Sequence, residues 1–259
     1  MKKVTIAILL ATVLVLSTVG MASAITDGEL DGDGHPHVGL LIFDIGGVPQ
    51  WRCSGTLLSP TVLLTAGHCT FGATSGRVWF ESDVQQPGLG YPSGGATSVE
   101  FCGIYTHPEY DDNAFFLHDV GVVELCEAVD VDTYGTLPSV DQLDALKTGK
   151  KTTFTSVGYG LQKINPVFVE AQRVRMVATP HLIMSNVPGF TGDFSLMLSN
   201  NHSTGGTCFG DSGGPNFLGN SNVVAGVTSF AINGNCAGTG GVFRMDRQNV
   251  LDFVNQFLD

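Results

Sequence analysis

The sequence predicts an all-β fold, and its composition together with the spacing of its apolar runs leads to that prediction. Of the 259 residues, 34 are glycine, 43% are hydrophobic and only 14% are charged. A disordered chain would have low hydrophobicity and dense charge, so this composition indicates a folded protein that is rich in turns. Short apolar runs alternate with clusters of Gly, Asn, Asp and Pro, which is the pattern of strands between turns. The length fits one large domain or two small ones.

Ten strands are predicted in order along the chain. Each is a short run of apolar or β-branched residues that ends at a turn-forming cluster. The predicted strands are residues 38–43, 55–58, 61–65, 77–80, 99–105, 120–125, 152–159, 174–179, 195–198 and 223–230. Their spacing is typical of a β-barrel or a β-sandwich. The polar segment 130–137 is interpreted as the linker between two halves.

The C-terminal segment carries the clearest helical pattern. Within residues 246–258, Val250, Val254 and Phe257 recur at the spacing of one helix face. We therefore expect an amphipathic α-helix that packs its apolar face on the core. A single helical turn is also predicted at residues 141–146.

The first 24 residues have the three parts of a secretory signal peptide. Lys2 and Lys3 form a basic start, residues 4–19 are apolar, and the small-residue sequence ASA ends at Ala24. An uncleaved membrane anchor is the alternative, but the apolar run is shorter than the ~20 residues that a span needs. We therefore predict export, cleavage after Ala24 and a folded domain of residues 25–259. The MKK start is also typical of bacterial signals.

The charge balance restricts the partners of the exported chain. The formal net charge is −12, and removal of the signal takes away two lysines and no acid, which leaves 10 basic and 24 acidic residues and a net charge of −14. Such an acidic surface disfavours binding to nucleic acid or to an anionic membrane. We expect an extracellular monomer that binds neither and needs no cofactor.

The cysteine count fits an exported protein. An even number of cysteines in an exported chain indicates disulfides. The six are Cys53, Cys69, Cys102, Cys126, Cys208 and Cys236. Six cysteines allow 15 pairings, and their spacing alone does not choose among them. The sequence has no CxxC pair, which argues against a zinc ribbon or a redox motif.

The stretch TCFGDSGGP at residues 207–215 contains the pattern G-x-S-x-G around Ser212. In an α/β-hydrolase that pattern is the nucleophile elbow, and the histidine base follows the serine along the chain. All seven histidines precede Ser212, so this class is excluded and the base must lie upstream. They are His35, His37, His68, His107, His118, His181 and His202.

Two upstream segments supply candidates for the base and the acid. LTAGHC runs from an apolar strand into a turn of small residues that ends at His68, where a base would have open space beside it. HDVGVVEL places Asp119 directly before an apolar strand. An aspartate at a strand mouth can be buried and bonded to an imidazole, which fixes the tautomer of the histidine and stabilises its charged form.

The blocks LTAGHC, DVGVVEL and GDSGGP, in the order His, Asp, Ser, resemble the trypsin/chymotrypsin family of serine endopeptidases. The resemblance extends from Ile25 to the terminal helix and includes GYG at 158–160, VTSF at 227–230 and GVF at 241–243. Gly240 stands where the family usually has proline. The resemblance implies two six-stranded antiparallel β-barrels with the cleft between them, the first at about 25–135 and the second at about 136–245.

The resemblance also implies the chemistry. Ser212 would attack the peptide carbonyl, His68 would transfer the proton, and Asp119 would orient His68 with help from Ser229. The N–H groups of Gly210 and Ser212 would form the oxyanion hole. The implied activity is hydrolysis of protein or peptide substrates through an acyl-enzyme, with a protein inhibitor as a further potential partner.

An N-terminal activation is implied by the same resemblance. In the family, a new amine, usually on isoleucine, pairs with the aspartate before the serine, which here is Asp211. Cleavage after Ala24 would leave Ile25 at the start of ITDG, which is similar to the family's IVGG apart from Thr26 and Asp27. We therefore expect that export itself activates the enzyme.

The resemblance implies disulfides Cys53–Cys69 and Cys208–Cys236, which leaves Cys102 and Cys126 for the third. It also assigns a substrate pocket. The position at the pocket base is Gly206, so a salt bridge to a substrate Arg or Lys is not available, and an uncharged apolar P1 residue is expected. The other expected pocket residues are Thr207, Ser229, Phe230, Ala231 and Gly241.

Two other functions are alternatives to catalysis. A catalytically silent relative that only binds a partner is the main alternative, and such proteins usually lack one of the three residues. A metal site could use His35 and His37 or the acidic stretch 27–34, but that stretch lacks the ligand spacing and closing glutamate of an EF-hand. We interpret it as a solvated loop, and no metal is expected.

Overall fold

Two closed antiparallel β-barrels of six strands each make up the computed structural model of the chain, which describes residues 25–164 and 169–258. The all-β fold with a C-terminal helix is therefore confirmed. The predicted signal peptide, residues 1–24, lies outside the described residues.

The first barrel is built from six strands in the order β2-β3-β4-β7-β6-β5, which closes on itself. A short strand, β1 (Glu29–Leu30), precedes it. The barrel strands are β2 (Val38–Ile45), β3 (Val48–Leu57), β4 (Val62–Thr65), β5 (Ser75–Trp79), β6 (Val99–Thr106) and β7 (Gly121–Leu125). Gly46 and Gly47 join β2 to β3 with φ angles of 61° and 79°, the backbone that a two-residue turn requires at both positions.

The second barrel has the order β8-β12-β13-β16-β15-β14, and β14 pairs back to β8. Its edge at β8 is extended by β11 and then by β1, so the N-terminal segment joins the second sheet. The remaining strands are β8 (Gly149–Gly158), β9 (Lys163–Ile164), β10 (Val169–Glu170), β11 (Met176–Ala178), β12 (His181–Val187), β13 (Gly192–Asn200), β14 (Pro215–Leu218), β15 (Val224–Ala231) and β16 (Gly238–Arg244). β9 and β10 form a separate hairpin.

Helical structure is sparse. A one-turn helix, α1 (Gly67–Thr70), follows β4, and 3₁₀ turns lie at Asp112–Ala114 and Gln142–Ala145. The C-terminal helix α2 (Gln248–Asn255) buries Val250 and Val254 as predicted, whereas Phe257 lies beyond its end and is half-buried. Its Phe253 ring lies 5.0 Å from His107 in the first barrel. No helix in residues 25–164 and 169–258 is long and apolar enough to cross a membrane.

All ten predicted strands overlap observed ones. The sequence patterns did not indicate β12, β14 and β16. β16 reads GTGGVFR and β14 begins with proline, so neither shows the alternation that marks a strand. The predicted turn at 141–146 is the second 3₁₀ helix, and the interpreted linker 130–137 is irregular apart from one bridge between Thr136 and Val223.

A single buried guanidinium joins the two barrels. Arg175, just before β11, is fully buried and donates hydrogen bonds to Val38 O (3.1 Å) and Phe80 O (2.9 Å) of the first barrel. It also bonds Tyr159 Oη at 3.1 Å and the Asp31 carboxylate at 2.9 Å. Because the guanidinium is fully buried and donates to groups of both barrels, it helps to hold the barrels in a fixed relation.

Three disulfides are present: Cys53–Cys69, Cys102–Cys126 and Cys208–Cys236. The first and third are the pairs that the family resemblance implied, and Cys102–Cys126 is the pair that was left over. The first ties β3 to α1, the second links β6 to the end of β7, and the third joins the Ser212 loop to the segment before β16. None of the three connects one barrel to the other.

Candidate active site

His68 is held by the one-turn helix α1 at the end of β4. The preceding Gly67 allows α1 to lie against the next segment, because a Cβ there would be 2.9 Å from the Tyr110 ring and 3.1 Å from Val120 N. The small residues of LTAGHC therefore allow the backbone of α1 to lie close to the backbone at Val120. The His68 side chain remains 24% exposed and faces a cavity.

Asp119 lies at the mouth of β7, fully buried, and accepts three hydrogen bonds. His68 donates from its backbone N at 2.8 Å to Oδ1, and its Nδ1 lies 2.9 Å from Oδ2. Ser229 of β15 donates its hydroxyl to Oδ2 at 2.5 Å. A buried carboxylate needs such donors to remain charged, and together they fix the direction of the imidazole.

The charge of Asp119 also alters the protonation of His68. Burial by itself would lower the pKa of His68, but the negative charge of Asp119 and its hydrogen bond outweigh burial, and the pKa is raised above its ordinary value. An Nδ1–H that points at Asp119 leaves the lone pair on Nε2, on the other side of the ring.

Ser212 lies in the loop between β13 and β14. The backbone on either side of Ser212 follows a path that only glycine readily adopts. Gly210 and Gly213 have φ angles of 98° and 76°, and a Cβ on Gly213 would lie 2.0 Å from Thr65 Oγ1. The loop is anchored on the first barrel by Ser54 N, which donates to Ser212 O at 2.8 Å. The serine thus sits where the barrels meet.

Several backbone N–H groups of this loop donate no hydrogen bond within the described residues, and those of Gly210 and Ser212 are among them. Among the hydrogen bonds of residues 25–164 and 169–258, none is donated by the N–H of Gly210 or of Ser212. The neighbouring N–H groups of Asp211 and Gly213 do donate, to Cys208 O at 3.0 Å and to Thr228 O at 2.8 Å. Unpaired donors at a cleft are available to an anionic oxygen.

Ser212 and His68 line the same cavity. In the described part of the chain, no hydrogen bond joins the Ser212 hydroxyl to the imidazole. Hydrogen bonds of this kind are often long without substrate and shorten once substrate binds.

Asp211 is buried in a cradle made by two glycines of the GYG motif. A Cβ on Gly158 or on Gly160 would lie 2.3 Å from a carboxylate oxygen of Asp211, so both positions require glycine. Asp211 accepts from Gly160 N at 2.7 Å and from Cys208 N at 2.8 Å. Burial raises the pKa of Asp211, and it outweighs the two hydrogen bonds and the charge of Arg52, which act to lower it. The resulting pKa is about 7.

Ile25 is fully buried beside Val174, Met176 and Ala178. The next residue, Thr26, pairs with Gly206, five positions before Asp211. Within the described residues, no hydrogen bond or ion pair joins Ile25 to Asp211, so the expected activation pair is not seen in the unprocessed chain.

The cavity beside Ser212 has a volume of about 490 Å³ and is mainly apolar. Its lining residues are His68, Asp112, Phe115, Thr207, Cys208, Phe209, Ser212, Thr228, Ser229, Phe230 and Ala231. Next to it the rings of Phe115, Phe116, Phe190 and Phe230 form an aromatic cluster, in which Phe116 and Phe190 stack 4.2 Å apart.

The expected pocket base is occupied by a neighbouring amide. A Cβ on Gly206 would lie 2.3 Å from Asn200 Cγ. Asn200, from the end of β13, donates Nδ2–H to Thr207 O at 2.8 Å and accepts from Thr26 Oγ1 at 2.7 Å. The Asn200 side chain therefore occupies the space beside Gly206, and Asn200 lines a cavity separate from the one beside Ser212.

The sequence pattern that defines the family described as Trypsin matches residues 31–254. The chain belongs to the trypsin family. It is a serine endopeptidase of that family, a hydrolase of peptide bonds.

Several relatives in the trypsin family are similar over most of their length. Brachyurin of Leptuca pugilator is 33% identical over 215 residues, which cover 78% of this chain and 83% of brachyurin. Trypsin of Saccharopolyspora erythraea is 27% identical over 215 residues, covering 76% of this chain and 81% of its own length. The solved structure of HL collagenase superposes with a TM-score of 0.72 at 22% identity, covering 90% of this chain and 97% of that one.

The trypsin-family resemblance placed most of the site residues together, but not all. Thr207, Ser229, Phe230 and Ala231 line the cavity, whereas Gly206 and Gly241 do not. A Cβ on Gly241 would lie 2.4 Å from the Phe230 ring, so this glycine supports the ring from behind.

Sequence reasoning missed several residues of the site in this trypsin-family chain. Asp112, Phe115, Phe209 and Thr228 line the cavity, and Phe190 completes the aromatic cluster. Adjacent phenylalanines at 115 and 116 in an otherwise polar loop were a usable signal. The contact of Asn200 with Gly206 left no such signal, because it depends on how β13 and the Gly206 segment fold together.

Proposed function

We propose that this protein is a secreted endopeptidase that cleaves peptide bonds by transferring the acyl group to Ser212, with His68 as base and Asp119 as its orienting acid. The observation that carries the proposal is the buried Asp119 carboxylate. It accepts bonds from His68 and Ser229 and so directs the imidazole into the cavity that Ser212 lines.

The first step forms a bond between Ser212 Oγ and the scissile carbonyl carbon. His68 Nε2 takes the hydroxyl proton as the bond forms, and the resulting imidazolium is stabilised by Asp119. His68 then gives that proton to the leaving amine. Water enters, His68 takes one of its protons, and the oxygen attacks the acyl carbon. The bond from that carbon to Ser212 Oγ then breaks, His68 returns the proton to Oγ, and the product acid leaves as a carboxylate after losing its proton to solvent.

Oxyanion stabilisation is assigned to the N–H groups of Gly210 and Ser212. Their lack of a partner within the protein supports this role, because donors that are already aimed at the developing charge require little rearrangement. A single donor of this kind contributes about 10²–10³ in rate.

An uncharged apolar P1 residue is the proposed preference. The cavity presents Phe230, Ala231 and Phe209, and its one acidic lining residue, Asp112, lies near His68, whose pKa it helps to raise. The position expected to pair with a substrate Arg or Lys is Gly206, which carries no charge.

Signal-peptide cleavage during export is the proposed activating step, because it would create an amine that could serve as a cation for Asp211. The pKa of about 7 reflects a buried carboxyl without a paired cation. Signal removal would create an amine on Ile25, whose side chain is already buried and whose neighbour Thr26 is already paired to Gly206.

The intact mass of the secreted protein, before and after treatment with a fluorophosphonate probe, tests the proposal. We expect a mass that starts at Ile25 and a single adduct that is lost in the Ser212→Ala variant. A correct terminus with no adduct would instead favour the catalytically silent relative. Peptides that differ only at P1 then test specificity, and faster cleavage after Lys or Glu than after Phe or Leu would contradict the apolar preference.

A further inference from the structure

Two arginines near the Ser212 loop lack an acidic partner. The chain has six arginines, and four of them form ion pairs with aspartates: Arg77, Arg175, Arg244 and Arg247. Within residues 25–164 and 169–258, neither Arg52 nor Arg173 forms such a pair. Acidic partners are in excess in a chain with 24 acidic and 12 basic residues, so these two cations differ from the rest.

Arg52 packs against the backbone that carries a proposed oxyanion donor. A Cβ on Gly210 would lie 2.7 Å from Arg52 Nε and 3.0 Å from its Nη2, so the guanidinium lies directly against the Gly210 backbone. Arg52 Nε is buried and has no hydrogen-bond partner among the described residues. The guanidinium is therefore not committed to a fixed acceptor of the protein, although burial of an unpaired donor costs free energy.

Tyr91 connects Arg52 to Arg173. Arg52 and Tyr91 line the same cavity, which has a volume of about 210 Å³. Arg173 Nε donates to Tyr91 Oη at 3.1 Å, and the Arg173 guanidinium lies 6.0 Å from the centre of the Tyr91 ring. Burial, and then the positive charge of Arg173, lower the pKa of Arg52, whereas Tyr91 and Asp211 raise it. Both arginines remain cations at neutral pH, and two half-buried cations that repel each other attract an anion.

The leaving part of a substrate passes on this side of Ser212. The apolar cavity proposed for P1 does not include Arg52 in its lining. His68 protonates the leaving amine, and the disulfide Cys53–Cys69 connects the residue after Arg52 to the residue after His68. Alternate side chains of an extended chain point the same way, so the second residue after the scissile bond shares its direction with P1. It therefore faces the Ser212 loop, against which Arg52 packs.

We propose that Arg52 and Arg173 bind a carboxylate on the second residue after the scissile bond, so that the enzyme prefers an acidic side chain there. This inference rests on the proposed function and deepens it, because it adds a charge preference on the leaving side to the apolar preference at P1. A guanidinium suits a carboxylate, since its N–H groups donate in parallel to both oxygens. The cavity beside Arg52 and Tyr91 gives room for a short acidic side chain.

Peptides that differ only at this position test the preference of the processed chain. They carry Phe at P1, an amidated C-terminus, and Asp, Asn or Lys as the second residue after the scissile bond. We expect kcat/KM to be about tenfold higher for the Asp peptide than for the isosteric Asn peptide, as for one hydrogen bond between charged groups. The Lys peptide should be the slowest, because the arginines repel it. Equal values for Asp and Asn would overturn the proposal.

Substitutions then assign the preference to residues. In Arg52→Gln the ratio of kcat/KM for the Asp and Asn peptides should fall close to one, and in Arg173→Gln it should fall about threefold, as for a partly exposed charge. Lys151→Gln removes the same charge from an exposed position near the start of β8 and should keep the ratio. Each ratio compares two peptides on one protein, so a general loss of activity in a variant cancels. An unchanged ratio in Arg52→Gln would refute the assignment.

Binding without cleavage separates this inference from the proposed catalysis. Fluorescence anisotropy of the same peptides with Ser212→Ala should give a Kd about tenfold lower for Asp than for Asn. That preference in binding, together with no cleavage by the unaltered processed chain, would support the carboxylate site and refute the endopeptidase function. Equal Kd values, together with equal rates of cleavage, would support the function and refute the carboxylate site.

Discussion

At the scale of single residues, the Asp119 carboxylate determines which way His68 faces. Asp119→Asn should lower kcat about 10⁴-fold, because an amide at this position favours the wrong imidazole tautomer. Ser229→Ala removes one of three donors and should lower kcat by only about tenfold to a hundredfold. Steady-state kinetics on protein with matched circular dichroism spectra would measure both. Equal losses in the two variants would contradict the assigned roles.

The protonation of His68 gives a prediction about pH. Because Asp119 raises the pKa of His68, the imidazole becomes charged on acidification at a pH above the ordinary value of about 6.5. Only the neutral form accepts the serine proton, so kcat/KM should fall in acid with a midpoint above 6.5. A pH–rate profile measures this midpoint directly. A midpoint below 6 would mean that another group limits the rate.

At the scale of elements, the conformation of the Ser212 loop depends on how Asp211 is held by Gly158 and Gly160 at the end of β8. One extra alanine before Ile25 would move the new amine away, and Asp211 would remain without its cation. We expect kcat/KM to fall at least tenfold in that variant, whereas Ile25→Val, which keeps the amine, should retain activity. Mass spectrometry must verify each terminus. Full activity of the extended protein would exclude activation by the terminus.

The same element predicts how stability varies with pH. The folded-state pKa of Asp211, about 7, lies above its unfolded value of 3.8, so the neutral acid is favoured by folding. Stability from this group is complete below pH 3.8 and is lost as the pH rises towards 7, by about 4 kcal/mol. Denaturant unfolding should show this loss in the extended protein and a smaller one in the processed protein. Parallel curves for the two would contradict it.

At the scale of the whole molecule, Arg175 joins the barrels. Arg175→Met should lower the free energy of unfolding by about 3–5 kcal/mol, because Asp31 and the carbonyls of Val38 and Phe80 lose a buried partner. Lys151→Met, at an exposed cation, should change it by less than about 0.5 kcal/mol. Guanidinium titration monitors both, and an unchanged midpoint in Arg175→Met would show that the interface does not depend on this residue.

How far the sequence predicted the molecule depends on where each signal lay. His68, Asp119 and Ser212 sit in local motifs, and the strands that flank them show apolar runs, so the sequence alone could single them out as candidates. β16 and β14 lack alternation, and Asn200 gains its role only when β13 meets the Gly206 segment. Long-range packing of this kind leaves no local trace in a single sequence.

The absence of a disulfide between the barrels has a consequence for heat. Each barrel has disulfides of its own, whereas the seam between the barrels is noncovalent: apolar side chains of both barrels pack together there, and Arg175 adds hydrogen bonds. Noncovalent contacts separate before covalently closed loops do, so warming should part the barrels while each still keeps its own strands. His68 and Ser212 lie on opposite sides of that seam. Catalysis would therefore fail at a lower temperature than secondary structure, and would return on cooling.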